Sequence, residues 1–187
     1  HSLNPEIVPK LVFVDPIRFV VIMERVPLSS RVWKSDLLEG VYRPQVARTL
    51  GTTLSQWHNY GAVNLDSHKK FMEDTLFDQL RIDPFYRFVA AKNVNLQDSI
   101  HRLIVDLESD KSTIVHGDFS PKNFMVTEDD HVYVLDFEVM HVGNPVFDLA
   151  YIMAHLLCKF FHAPNAQEAT QLSNIAQTFL NAYREHT

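Results

Sequence analysis

An α+β domain, mostly helical and entered through a short hairpin, is what the sequence predicts. Three observations carry that expectation. Apolar residues recur at helical spacing through the middle and end of the chain, two apolar, β-branched runs meet across a turn near the start, and two more strand-like runs flank an acidic turn at 127–131. With 187 residues, 46% hydrophobic and 21% charged, the chain has the balance of an ordinary globular domain and length for one core. No repeat, low-complexity tract or Gly/Ser-rich linker divides it.

Taken in order, Leu11–Val14 and Phe19–Met23 are strand-like and Asp15-Pro16 is turn chemistry, so a hairpin is expected, ended by Pro27. From Pro44, Val46, Leu50, Leu54 and Trp57 mark the inner face of a helix. Asp83-Pro84 is expected to open another helix, an acceptor at the N-cap followed by proline at the first helical position. Ile100, Leu103, Ile104 and Leu107 continue a helical stripe. Ile114 and Val115 lead into a polar loop, and Phe124–Val126 and Val132–Leu135 form a hairpin through the Thr127–His131 turn. Asn144-Pro145 opens a third helix, Val146–Phe161, apolar on nearly every face and therefore expected at the centre of a helical domain. Leu172, Ile175, Phe179 and Tyr183 line the last.

Seventeen Lys+Arg against 23 Asp+Glu give a net charge of -6, which disfavours a nucleic-acid partner, because such a surface must neutralise phosphates. A single cysteine, Cys158, forbids an intrachain disulfide, and the longest apolar runs are too short to cross a bilayer. The cytoplasm is the expected compartment. The chain opens at His1 without signal-peptide features, so a fragment or processed product is expected.

Chemistry concentrates in His116-Gly117-Asp118-Phe119-Ser120-Pro121-Lys122-Asn123 and Val134-Leu135-Asp136-Phe137-Glu138. Asp118 and Asn123 stand on a loop before the hairpin, and Asp136 follows at its far end. Phosphoryl transfer needs such a set: a carboxylate to orient the attacking hydroxyl and take its proton, and hard oxygen ligands for Mg²⁺ on the nucleotide phosphates. On this reading Asp118 is the catalytic base, and Asn123 and Asp136 hold the metal.

These motifs resemble the catalytic core of the aminoglycoside phosphotransferase and choline kinase-like small-molecule kinases, whose fold is protein-kinase-like. His116, Gly117, Asp118 and Asn123 match that group's H-G-D-x-x-x-x-N loop, and Asp136-Phe137-Glu138 is similar to its metal motif, with Glu138 as a further metal ligand. Val20–Pro27 is similar to its hinge. That match implies that the Glu24 carbonyl and the Val26 N–H bond adenine, with Met23 lining the pocket. Asp148 is similar to the buried Asp that braces the loop. The resemblance thus implies ATP and Mg²⁺ as cofactors and a small-molecule hydroxyl as acceptor. It implies a truncated kinase-like domain, with a remnant of the N-terminal lobe and the hinge over 1–27 and a helical C-terminal lobe over 28–187. No glycine-rich loop or strand lysine precedes the hinge, and Lys10 sits at the wrong place for one. A protein kinase is disfavoured: Gly117 replaces the loop arginine, Glu138 the last glycine of D-F-G, no A-P-E follows, and Asp148 comes only 12 residues after Asp136.

Leu38-Glu39-Gly40, Tyr42, Pro44, Met72-Glu73-Asp74 and Asp83-Pro84 resemble methylthioribose kinases, whereas Ser120-Pro121-Lys122-Asn123 is closer to the general aminoglycoside phosphotransferase pattern. An amino sugar, amino alcohol or sugar acceptor is therefore left open. So is a kinase-like protein that binds nucleotide without transferring phosphate. His116 is expected to pack under the loop and bond its backbone, Lys122 to be solvated, and Trp33 and Trp57 to serve packing. His155, Cys158 and His162 share a helical face, but an incomplete three-ligand set is expected to be structural rather than zinc-binding.

Overall fold

The computed structural model describes residues 4–186, folded into two compact units. The first runs from the N-terminal region to Gln56 and takes in Ser120–Leu135 and the chain from Ile152 onward. The second comprises Trp57–Phe119 and Asp136–Tyr151.

In the first unit, β1 (Leu11–Asp15) and β2 (Val20–Met23) form the expected antiparallel hairpin, with Leu11 opposite Met23 and Asp15 opposite Val20. Asp15 Oδ1 accepts from the N–H groups of Ile17 and Arg18, each at 3.0 Å, which closes the turn. Phe19 belongs to the turn and not, as expected, to the strand: its φ is 55°. A three-stranded sheet has the order β3-β5-β6, from β3 (Arg31–Val32), β5 (Phe124–Val126) and β6 (Val132–Val134). The β5–β6 register pairs Phe124 with Val134 and Val126 with Val132. Asp130, at φ 64°, and Thr127, which accepts and donates across the turn to His131, make the reversal.

α1 (Trp33–Leu38) follows β3 and buries Trp33 against Phe124, ring centroids 5.9 Å apart. α2 (Pro44–Val63) begins in this unit and buries Val46, Leu50 and Leu54 as their spacing predicts. α8 (Ala166–Glu185) is capped by Asn165, which accepts from the Glu168 N–H, and buries Leu172, Ile175, Phe179 and Tyr183. α2 and α8 approach so closely at Gly51 that a Cβ there would collide with the Phe179 carbonyl. Asp36, fully buried on α1, is held by Arg31 at 2.6 Å and Arg43 at 3.5 Å.

In the second unit, β4 (Thr113–Val115) pairs antiparallel with β7 (His141–Gly143), Ile114 opposite Val142. α4 (Thr75–Phe77), a π-helix (Asp78–Arg87), α5 (Phe88–Lys92) and α6 (Gln97–Ser109) supply the helical part; α3 (Leu65–Lys70) lies upstream of them. The core is Phe77, Ile82, Ile104, Val139 and Phe147, with Ile100 and Leu107 packed on its margin. Two expectations fail. Pro84 does not open a helix but lies inside the π-helix, whose wider i→i+5 ladder has taken in a residue without an N–H. Leu103 is exposed, because the buried stripe of α6 is narrower than the periodicity suggests.

α7 (Val146–His162) starts in the second unit and ends in the first, and Asn144 Oδ1 caps it by accepting from the Val146 N–H at 2.9 Å. Its expected all-round burial is not found: Ile152 and Leu156 are buried, while Val146, Leu157 and Phe161 face solvent. Among the described residues no helix is long and apolar enough to cross a membrane.

Candidate active site

β4 delivers the chain into the loop His116-Gly117-Asp118, and every part of that loop is held within the second unit. Gly117 has φ 76°, and a Cβ there would come within 2.8 Å of the Val139 carbonyl, so the turn admits only glycine without strain. Asp148, in the first turn of α7, accepts the His116 N–H on Oδ2 at 2.7 Å and the Gly117 N–H on Oδ1 at 2.9 Å. His58, buried on α2, meets Asp148 Oδ2 at 3.2 Å. Burial alone would raise the Asp148 carboxyl; the His58 hydrogen bond and charge, His116 and the His116 N–H outweigh it, leaving the carboxyl below its ordinary range. Asp148 thus braces the loop, as the resemblance implied.

His116 takes the structural role expected of it. Its Nδ1 accepts the Asp118 N–H at 3.2 Å, and its ring packs on Phe119 and Phe137. Trp57 packs on the same two rings, at 6.4 Å and 5.8 Å, so it is a packing residue as expected.

Asp118 itself is fully buried. Its Oδ2 pairs with the guanidinium of Arg81 at 2.8 Å. The Tyr151 hydroxyl also bonds the Asp118 carboxylate; burial first, and then that charge, push the Tyr151 phenol above its ordinary value. Asp136 and Glu138 lie exposed downstream in this unit, Asp136 at φ 69° and Glu138 in the turn closed by the Met140 N–H on the Phe137 carbonyl.

The remaining expected residues belong to the first unit. Asn123 is buried at the end of a 3₁₀ turn, Pro121–Asn123, and its carbonyl accepts the Leu135 N–H at 2.9 Å, tying it to the residue that precedes Asp136 in the chain. Lys122 in the same turn is exposed, as expected. Met23 ends β2 with its side chain half exposed, the Glu24 N–H donates to the Lys10 carbonyl at 2.8 Å, and Val26 is half buried. Among the described residues no group of three or more His, Cys, Asp and Glu side chains forms a metal cage, and Cys158 and His162 are exposed. The amide of Asn123 and the carboxylates of Asp136 and Glu138 are hard oxygen donors, which fits Mg²⁺, an ion commonly held by one or two carboxylates together with substrate phosphates.

A family model described as the phosphotransferase enzyme family, APH, matches residues 14–186. The chain belongs to that family. A methylthioribose kinase from Enterobacter sp. (strain 638) is 25% identical over 190 residues, covering 88% of this chain and 47% of the kinase. The macrolide 2'-phosphotransferase MphH from Brachybacterium faecium aligns with a TM-score of 0.56 at 20% identity, covering 99% of this chain and 61% of that one. A spectinomycin phosphotransferase solved with ADP and spectinomycin aligns with a TM-score of 0.56 at 15% identity, covering 98% of this chain and 64% of that one. The fold is therefore the protein-kinase-like one of these phosphotransferases. The chain spans about half the length of that methylthioribose kinase.

This member of the phosphotransferase family also contains residues at the candidate site that sequence reasoning missed. His58, Arg81 and Tyr151 touch Asp148 or Asp118, yet each lies far from its partner in sequence. His58 carried one usable signal: it stands next to Trp57, at the margin of the apolar face of α2. Arg81 carried none, because the π-helix breaks the 3.6-residue period that would have marked it as inward-facing.

Proposed function

We propose that the protein containing this chain is an ATP-dependent kinase that transfers the γ-phosphate to a hydroxyl of a small molecule, with an amino sugar, an amino alcohol or a sugar as acceptor class. The single observation that carries the reading is the buried Asp118 on a loop whose preceding N–H groups are fixed by the Asp148 carboxylate. A loop held in this way presents its carboxylate in one orientation, which is what orienting a nucleophile requires.

In the reaction the Asp118 carboxylate orients the acceptor hydroxyl and takes its proton as the oxygen attacks the γ-phosphorus. Asn123 and Asp136, with Glu138, are the residues that would hold Mg²⁺; when bound, the ion neutralises charge on the β and γ phosphates. The Glu24 carbonyl and the Val26 N–H would take the adenine edge, beside Met23. Family membership supports phosphotransfer, and the ADP held by the spectinomycin phosphotransferase supports nucleotide use.

The test is ADP release by the full-length protein with Mg²⁺ and ATP, offered amino sugars, amino alcohols and methylthioribose in turn. Release that depends on one acceptor class is the expected result and names the substrate. Nucleotide binding without turnover on any acceptor would replace this reading with a kinase-like binding protein.

A further inference from the structure

We propose that Arg81 is a positioning residue of the transfer reaction, clamping the catalytic loop and the Asp118 carboxylate together; the proposal rests on the kinase reading of Asp118. Each of its three guanidinium nitrogens has a partner within the second unit. Nη1 donates to the Leu80 carbonyl at 2.9 Å, Nε to the Gly117 carbonyl at 3.1 Å, and Nη2 pairs with Asp118 Oδ2 at 2.8 Å. One rigid fork therefore fixes the peptide that joins Gly117 to Asp118 and, through a separate nitrogen, the carboxylate that follows it.

Charge and burial point the same way. Asp118 is fully buried and the Arg81 side chain only 8% exposed, so neither charge is supported by bulk water. A buried carboxylate without a counter-charge is costly, and the guanidinium supplies one inside the unit. The other charged residues of the π-helix behave differently. Arg87 bridges Asp78, Asp83 and Glu108 at the surface, a network that touches no part of the loop. Arg81 is the arginine of this helix that turns inward, next to the core residue Ile82. The wider turn of a π-helix, an element often found at functional sites, presents it there.

In the step it serves, the acceptor oxygen bonds to the γ-phosphorus and the bond from that phosphorus to the β–γ bridging oxygen breaks. ADP leaves with the electron pair, and the hydroxyl proton passes to Asp118. Arg81 acts through Asp118, whose Oδ2 it holds, and takes no direct part in the bonds made and broken at phosphorus. It fixes the plane of the accepting carboxylate, so it should act on turnover and not on nucleotide affinity.

The experiment compares Arg81→Met and Arg81→Lys with wild type in the full-length protein, reading kcat, the KM for acceptor and the Kd for ATP, with each preparation normalised to its folded fraction. Arg81→Met should lower kcat about 100-fold, the loss expected when a reacting group is misplaced by about 1 Å, with the Kd for ATP within about threefold. Arg81→Lys, which keeps the charge but not the fork, should recover part of that loss, and added guanidinium ion should partly restore an Arg81→Ala variant. In an Asp118→Asn background the Arg81→Met change should cost less than about threefold, because residues acting as a unit are not additive. A kcat within about threefold of wild type in folded Arg81→Met would overturn the proposal, as would full additivity with Asp118→Asn. If Arg81→Met does not fold, Arg81→Lys decides, and wild-type turnover there overturns the clamp. Failure of the underlying reading looks different: Asp118→Asn alone would then retain wild-type transfer, or wild type would transfer to no acceptor.

Discussion

The loop His116-Gly117-Asp118 and the hairpin β1–β2 are opposites in how their side chains are satisfied. The loop is polar and buried: His116, Asp118 and Asp148 are sealed from water, and each has a partner in its own unit. The hairpin is apolar and exposed, with Leu11, Val12, Phe13, Val14, Val20, Val21, Ile22 and Met23 all open to solvent on both faces. Buried polar groups stay put only where hydrogen bonds replace water, so the loop is over-determined. An exposed two-stranded hairpin is marginal by itself, so its geometry depends on little beyond its turn. Rigidity therefore resides at the candidate catalytic carboxylate, and the candidate adenine edge sits at the end of the weaker element.

The largest effect is expected from Asp148→Ala, which strips the brace from two loop N–H groups and from His58. Removing one partner from a buried polar set costs about 3–5 kcal/mol, and urea unfolding should show it. A change below about 1 kcal/mol would mean that the loop holds itself and would erase the contrast. Next comes Gly117→Ala, where a positive φ and a Cβ pressed on the Val139 carbonyl together cost about 2–4 kcal/mol in the same measurement. Phe19→Gly should move the other way. Phe19 holds φ 55° with its ring in solvent, and relieving that turn should raise stability by about 0.5–1 kcal/mol, sharpening the hairpin.

The smallest effect is a pH slope. Burial pushes the His141 imidazole below its ordinary 6.5, although its bond to the Val139 carbonyl opposes this. The unfolded chain then takes up a proton near pH 6.5 while the folded chain does not. The contribution of His141 is thus complete above about pH 6.5 and is lost as pH falls through the folded value. His141→Gln should flatten the fall in stability just below pH 6.5, read from urea unfolding at a series of pH values. An unchanged slope would assign the acid response elsewhere.

Much of this fold was legible because its signals are local. Pro44 with Val46, Leu50 and Leu54, Asn144 before α7, and the acidic turn between β5 and β6 each declare themselves within a few residues. The misreadings share a cause. At Asp83-Pro84 a helix-start signature sits inside a π-helix, and at Leu103 a helical stripe continues past the edge of the core it serves. At the candidate site, Gly117 and Asp118 were marked by motif spacing, and the brace Asp148 by its resemblance to the family's buried Asp. Arg81, His58 and Tyr151 were not, because what makes them part of the site is a partner brought near only by folding, and single-sequence periodicity carries no distances.

Everything proposed for this chain depends on Asp118 acting as the base that takes the acceptor's proton. The direct measurement is acceptor-dependent transfer from ATP by the full-length protein, comparing wild type with Asp118→Asn, with ATP affinity measured in parallel. Asp118→Asn should lower kcat by about 10²–10⁴-fold, the range general bases contribute, with ATP binding nearly unchanged. Transfer by Asp118→Asn at the wild-type rate would contradict that role.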